Sequence, residues 1–451
     1  MSQPVPQPPA TPDRPTRPAL RVAVLGAGTV GTEVLRLIAQ QGDELAHRIG
    51  ARLEVIGIAV RDRAKDRGEH VPAALLTEDP GALVREADLV IEVMGGIEPA
   101  RTLLLEAMAH GASVVTANKA LLAQDGPALY EAADVHGVDL SFEAAVAGAI
   151  PLVRPVRESL AGDRIQRVMG IVNGTTNYIL DAMTRTGADF GDALASAQQL
   201  GYAEADPTAD VEGHDAAAKA SILASLAFHS RVRLADVHCE GISSVTAQDV
   251  AAAGRMGRTL KLLSIVERIE EENGERISAR VYPALIPETH PLASVSEAYN
   301  AVFIEADAAG SLMFYGQGAG GAPTASAILG DVVSAARARV HGGVGPRESR
   351  YAELESIPLE ELRSAFYISL TVQDRPGVLA EIAGTLSGYG ISISTIHQEL
   401  LHHEGEPSQS LAHIGISTHR ALESAMTASL DMFSATATVL SIDSVLRIEG
   451  D

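Results

Sequence analysis

Between Ala197 and Lys219 the chain reads AQQLGYAEADPTADVEGHDAAAK, which sets five carboxylates, on Glu204, Asp206, Asp210, Glu212 and Asp215, ahead of one ammonium on Lys219. Asp215 and Lys219 lie four residues apart, so on a helix they share a face and the carboxylate keeps the amine charged and in place. Fixed in a cleft, such an amine can give a proton to a developing alkoxide as general acid and take one back as general base. A lysine with the ordinary pKa of ~10.4 is a poor base at neutral pH, so this role requires tuning by partial burial or by a second cation such as Lys119. The same spacing also describes a surface turn followed by a helix, where the pair adds roughly a few tenths of a kcal/mol.

The order of residue types is more restrictive than the charge count. An alanine, three residues, Gly201-Tyr202-Ala203, two residues, Asp206-Pro207, two, Asp210-Val211, one, Gly213, one, Asp215, three and Lys219 resembles the signature segment of homoserine dehydrogenases at every constrained position. The resemblance runs from about Ala19 to the C-terminus and leaves out the first 18 residues. It implies NAD(P)-linked interconversion of L-aspartate 4-semialdehyde and L-homoserine, in threonine, methionine and isoleucine biosynthesis. The nicotinamide would carry the hydride and Lys219 the proton, with Asp215 orienting the amine. The substrate's α-ammonium needs a carboxylate, for which Glu204 after Tyr202 is the natural partner, helped by Asp210. No aspartate kinase segment precedes the dehydrogenase, so a monofunctional form is expected.

These residues need elements to position them. Leu20–Leu25 reads as a short apolar strand, followed at once by Gly26-Ala27-Gly28-Thr29-Val30-Gly31 and a helical run over Thr32–Ala39. In that setting Gly26 permits the tight turn, Gly28 lets the backbone approach a pyrophosphate and Gly31 allows close helix packing. A second strand, Leu53–Val60, ends at Arg61, which suits the 2′-phosphate of NADP, although neighbouring Asp62 leaves NAD open. Further strands over Ala87–Val93, Ser113–Thr116 and Val138–Phe142 alternate with helices over Pro99–His110 and Leu121–His136, as in a doubly wound parallel sheet. Lys119 resembles the family lysine lying between nicotinamide and substrate; a surface lysine at a helix N-terminus is the other reading, disfavoured by the helix dipole. The resemblance also implies a monovalent cation such as sodium on Glu143 and the backbone at Val146, Gly148 and Ile150, where the chain crosses between domains; hard cations take such oxygen ligands.

Beyond Pro151 a strand over Arg167–Val172 leads into Asn173-Gly174-Thr175-Thr176-Asn177, which could offer amides and hydroxyls to a substrate carboxylate or simply cap a helix. Strands over Ala279–Tyr282 and Ala301–Glu305 follow, then a glycine-rich turn from Gly316 into a helix over Ala325–Val340. In the family this turn returns the chain to the nucleotide domain, making Gly320 a cofactor contact. The C-terminal part reads βαββαβ, with strands over Phe366–Gln373, Ile391–Leu401, Leu411–Thr418 and Thr436–Ile448. A helix with Pro376 in its first turn is expected after the first of these strands, and another over Leu422–Phe433. Its Asp374-Arg-Pro-Gly-Val-Leu379 run resembles ACT regulatory domains, which implies threonine as effector at Asp374, Gly377, Val378, Leu379 and facing Ile391. A dimerisation unit that binds nothing is the alternative.

The expected fold class is therefore α/β: a Rossmann-like nucleotide-binding domain (19–150 plus the return helix, 318–340), an α+β catalytic and dimerisation domain (151–317), a linker (341–363) and a ferredoxin-like ACT domain (364–451). Composition agrees with this division. At 451 residues, with 46% hydrophobic residues, 4% aromatics and no Trp, the cores must be built from Ala, Val, Leu and Ile. A formal net charge of -23 disfavours nucleic-acid partners. No apolar run nears the ~20 residues a membrane span needs, and the proline-rich residues 1–18 lack a signal-peptide core. A cytoplasmic homodimer or homotetramer is expected. Single Cys239 allows no internal disulfide and lacks the setting of an acylating thiol, which weighs against an aspartate-semialdehyde dehydrogenase. The complete glycine turn and carboxylate-lysine set weigh against a relic enzyme retained as an amino-acid sensor.

Overall fold

A computed structural model describes residues 18–272, 274–346, 351–401 and 411–450; the expected N-terminal tail lies outside them apart from Pro18. The first sheet is fully parallel, with order β3-β2-β1-β4-β5-β6, from β1 (Leu20–Leu25), β2 (Leu53–Ala59), β3 (Leu76–Thr77), β4 (Leu89–Glu92), β5 (Ser113–Thr116) and β6 (Leu140–Ser141). Its strands are short and apolar because helices cover both faces, so neither face needs polar residues. The order reverses between β1 and β4, where such sheets open a crevice at their C-terminal edge. The helix Gly321–Val340 returns to this sheet and buries Ala325, Ile328, Leu329 and Val332 in the core shared with Val34 and Ile38 of helix Thr29–Gln40.

The second sheet is mixed and continuous. It comprises β7 (Ile165–Ile171), β8 (His238–Cys239), β9 (Arg258–Glu271), β10 (Gly274–Pro287), β11 (Tyr299–Ala306), β12 (Gly310–Gln317) and β13 (Glu355–Ser356), together with the C-terminal strands. These are β14 (Arg363–Gln373), β15 (Ile393–Leu401), β16 (Leu411–Thr418), β17 (Ala421–Leu422) and β18 (Val439–Ile448). The main path runs β12-β11-β7-β9-β10-β18-β14-β16-β15, and the two halves join where β10 pairs in parallel with β18, Ala284 facing Arg447 and Leu285 facing Ile448. The expected linker is partly strapped down, since β13 pairs with β10 and the Ile357 amide donates to the Ile277 carbonyl.

Two long strands escaped the sequence reading. β9 carries the run Leu260–Val266, almost wholly buried, whose two-sided burial erases the alternation that marks a strand. β12 instead has a half-exposed pattern broken by glycines. The helix after β14 spans Val378–Gly388, so Pro376 precedes it; Gly377, at φ +96, is its N-cap and not part of a first turn begun by proline.

Candidate active site

Gly213, at φ +80, turns the chain into helix His214–Phe228, which is buried on nearly every face and therefore shows little amphipathic pattern. Asp215 occupies its first turn and Lys219 follows one turn later, both 8% exposed. Lys219 Nζ donates to Asp215 Oδ2 (2.7 Å) and to the Val172 carbonyl just beyond β7 (2.6 Å). From the nucleotide side, Lys119 opens helix Lys119–His136 and places its Nζ on Asp215 Oδ1. Asn173 adds a third donor, its Nδ2 reaching Asp215 Oδ2 (2.9 Å) and Asp210 Oδ1 (2.7 Å). Burial pushes the Asp215 carboxyl up, but the ammonium groups of Lys219 and Lys119 outweigh it and hold the group well below the usual carboxylate range.

This cluster forms one wall of a cleft of about 910 Å³ between the two sheets. Gly174, Thr175, Tyr202, Glu204 and Asp210 line it, as do Val30, Gly148 and Gly320 from the nucleotide side. Thr176 does not. Its hydroxyl is spent on Asn173 O and Oδ1 (both 3.1 Å) inside the N-cap of helix Gly174–Thr186, and the residue is 1% exposed. Thr175 lines the cleft but gives its own hydroxyl to the Tyr202 carbonyl (2.6 Å), which ties the substrate loop to the helix start.

A second cleft, of about 670 Å³, is lined by Gly26, Ala27 and Gly28 together with Arg61, Lys65 and Arg67, and shares Val93, Met94 and Gly95 with the first. A Cβ at Gly26 would fall 2.8 Å from the Val93 carbonyl, and one at Gly31 2.2 Å from the Gly26 carbonyl, so both must be glycine, whereas Gly28 faces open space. Thr29 is the first residue of its helix and packs under Gly321 of the return helix. These residues fit a dinucleotide: amides at a helix N-terminus for the pyrophosphate, cations at the far end and, across the shared Val93, Met94 and Gly95, the cleft that Lys119 lines.

At the expected cation position the Glu143 side chain is already engaged. The Glu143 carboxylate is 1% exposed and accepts the amides of Leu152 (2.5 Å), Val153 (2.7 Å) and Arg154 (3.1 Å) as well as Arg154 Nε (2.9 Å). Those donors occupy the carboxylate, so a cation here would rest on the backbone carbonyls and not on the Glu143 side chain. The Val146 and Ile150 side chains are core residues, and Gly148, at φ +60, is glycine because the Gly318 carbonyl would be 2.2 Å from its Cβ. Among the described residues no group of three or more His, Cys, Asp or Glu could hold a metal ion.

In the C-terminal module Val378 and Ile391 are core side chains, while Asp374 and Leu379 are exposed and Gln398 Nε2 reaches Asp374 Oδ1 (3.4 Å). An effector there would meet the backbone and Asp374, not the Val378 or Ile391 side chains.

Sequence reasoning also passed over residues that shape the cleft. Fully buried Glu92 accepts Thr116 Oγ1 (2.6 Å) and the amides of Met94 (2.8 Å) and Gly95 (3.1 Å), fixing the loop that both clefts share. A carboxylate closing an apolar strand was the available signal. Asn173 was visible as a cap but not as the bridge between Asp210 and Asp215, because that role depends on a fold-level meeting of three segments.

Comparison with known proteins places this geometry in a family. Residues 151–333 match the family model described as homoserine dehydrogenase, residues 26–143 its NAD binding domain and residues 366–405 the ACT domain. The chain is 57% identical over 436 residues to homoserine dehydrogenase of Corynebacterium glutamicum, covering 96% of each, and 55% identical over 432 residues to that of Mycobacterium tuberculosis, covering 95% of this chain and 97% of the relative. Among solved structures, a homoserine dehydrogenase from Thiobacillus denitrificans superposes with a TM-score of 0.88 at 40% identity, over 96% of this chain and 99% of that one. A hyperthermophilic archaeal homoserine dehydrogenase in complex with NADPH gives 0.60 at 27% identity, over 73% and 100%. The chain belongs to the homoserine dehydrogenase family, with an NAD-binding domain and a C-terminal ACT domain.

Proposed function

We propose that the protein catalyses the reversible NADPH-linked reduction of L-aspartate 4-semialdehyde to L-homoserine, and that Lys219 moves the proton. The observation that carries this is the Lys119–Asp215–Lys219 cluster on the cleft wall, where the buried Asp215 carboxylate is shared by buried Lys219 and half-exposed Lys119. When bound, a reduced nicotinamide supplies the hydride. In the direction of reduction Lys219 gives a proton to the oxygen that becomes the hydroxyl, and in oxidation it takes one back. Asp215 holds both amines; Asn173 ties it to Asp210 and so links the proton site to the acidic end of the cleft. Glu204, assisted by Asp210, answers the substrate ammonium, while the Gly174 and Thr175 amides at a helix N-terminus suit its carboxylate.

Arg61, Lys65 and Arg67 around the far cleft favour NADP over NAD, and the structural relative carrying NADPH supports the same choice. Exposed edges at β12 and β15 leave both ends of the long sheet available to a second copy, in keeping with a homodimer or a tetramer. A reducing, cytoplasmic setting fits the lone Cys239 thiol. Burial, with Glu240 and Glu212 beside it, pushes that thiol up to about 11, too high for a nucleophile at neutral pH.

The ACT module suggests small-molecule regulation, for which threonine at the loop from Asp374 to Leu379 is our reading. Threonine should inhibit the full chain, and Asp374→Ala should relieve inhibition without changing basal kcat; an uninhibited wild type removes threonine as effector. The activity itself is tested by following absorbance of the reduced nicotinamide with L-homoserine and each oxidised cofactor in turn. Reduction of NADP faster than NAD is expected, and no reduction of either would overturn the assignment.

A further inference from the structure

Asn177, Asp181 and Lys261 are buried polar residues that the proton transfer does not use. Gly174, Asn177 and Asp181 follow one another at spacings of three and four, which puts them on one face of helix Gly174–Thr186. The segment 295–299 lies along that face. A Cβ at Gly174 would fall 2.5 Å from the Ala298 carbonyl, so only glycine lets the segment come this close. Asn177 Nδ2 is shared among the carbonyls of Glu297 (2.9 Å), Val295 (3.2 Å) and Tyr299 (3.3 Å), and Asp181 Oδ2 accepts the Glu297 amide (3.0 Å). From β9, Lys261 Nζ donates to Asn177 Oδ1 (3.0 Å) and to the Val295 carbonyl (2.6 Å). An ammonium on Oδ1 keeps the N–H side of the amide turned toward the segment.

What this network holds is part of the cleft. Glu297, Ala298 and Tyr299 line it together with Gly174, Tyr202 and Glu204. Gly174 follows Asn173, which joins Asp210 to Asp215, so the braced face begins where the acidic groups of the cleft stand. Glu297 sits at φ +56, left-handed backbone that a glutamate keeps only when its surroundings hold it there, and both its amide and its carbonyl are bonded by the network. A turn that only connected two elements would take glycine or asparagine at this position. Burial also pushes the Lys261 ammonium down to about 8, against the pull of Asp181, so an apolar side chain would suit a merely packed core better.

We infer that Lys261 and Asn177 are positioning residues for the substrate: through the segment 295–299 they fix the cleft wall formed by Glu297, Ala298 and Tyr299 and hold it against Gly174. This rests on the homoserine dehydrogenase reading above, in which the Gly174 amide meets the substrate carboxylate. Neither Lys261 nor Asn177 touches a reacting atom, and their effect is on how the substrate is seated.

The test is steady-state oxidation of homoserine by the full-length protein beside its calorimetric Kd for NADPH. Lys261→Met keeps the length of the side chain and removes the ammonium; KM for homoserine should rise about tenfold, with kcat within about threefold and the NADPH Kd within about twofold of wild type. A lysine that only supports the fold would lower the unfolding midpoint and leave KM of the folded enzyme at the wild-type value, which overturns the inference. So does an NADPH Kd that rises as much as KM. A second pair of variants changes only an exposed side chain: Glu297→Val and Glu297→Asn both remove the carboxylate, but asparagine accepts left-handed backbone and valine resists it. KM should be at least about fivefold higher for the valine variant, and equal values overturn the inference. Should Lys261→Met not fold, this pair decides alone. If wild type oxidises homoserine and KM moves in neither set, this inference alone falls; if wild type oxidises none, the dehydrogenase reading falls and takes the inference with it.

Discussion

Two ionic clusters built on buried carboxylates, one at the cleft and one beneath the C-terminal module, look alike in charge and differ in closure. At the sheet junction Arg280, 3% exposed, lies between Glu267 (2.9 Å) and Glu449 (3.5 Å), while the Tyr282 hydroxyl accepts from Arg280 Nε (2.8 Å) and donates to Glu449 (2.7 Å). Arg447 spans Glu423 (2.8 and 2.9 Å) and Glu240 (2.8 Å), bonding the module to the catalytic domain. There carboxylates and guanidinium groups answer one another within the sheet. At the cleft two ammonium groups share a single Asp215 carboxylate, and the cluster faces open volume. Burial and charge alone therefore do not mark a site; excess charge of one sign beside space for a substrate does.

The contrast can be broken first at the cleft. Asp215→Ala leaves the buried Lys219 ammonium and the half-exposed Lys119 ammonium without their carboxylate, and kcat should fall about 10³-fold in steady-state assays, beyond any loss of folded protein seen by circular dichroism. At the junction the effect should be on stability. Arg447→Met leaves buried Glu423 with only Ser364 as a side-chain partner, and Glu240 with His238, and should cost about 3 kcal/mol in urea unfolding, with kcat of the folded enzyme within about threefold of wild type.

A third buried group sharpens the comparison through pH. Burial, with Glu143 nearby, pushes the Asp331 carboxyl up to about 7, although the Glu143 amide and Arg154 oppose this. A carboxyl raised above its unfolded value binds more protons when folded, so its contribution to stability is full below about pH 4 and is lost as pH rises toward 7. Asp331→Asn should stabilise the protein at pH 8 by on the order of 2 kcal/mol and much less at pH 5, measured by unfolding at both. The smallest effect is Glu204→Gln, expected to raise the homoserine KM about tenfold while kcat stays near wild type.

How much was legible in the sequence follows the same division. The glycine turn after β1 and the carboxylate-lysine signature are local patterns, and each falls on the strand–helix junction or helix turn its spacing implies. The ACT-like order of strands and helices was legible for the same reason. The fusion of that module into the catalytic sheet through β10 and β18 was not, because two short parallel pairings leave no periodic trace. Glu143 was legible only in part. Its place in the motif was plain, but the amides of Leu152, Val153 and Arg154 that fold back onto it follow from a turn that sequence does not specify. Thr176 was misread because a hydroxyl in a polar loop looks the same whether it faces a ligand or closes its own helix cap.

The central claim, that the Lys219 amine transfers the proton, is met most directly by measuring kcat for homoserine oxidation by Lys219→Ala beside its calorimetric Kd for NADPH. A turnover number reduced at least about 10²-fold with Kd within about threefold of wild type is the predicted result. A variant that keeps most of the wild-type turnover at saturating homoserine would contradict it.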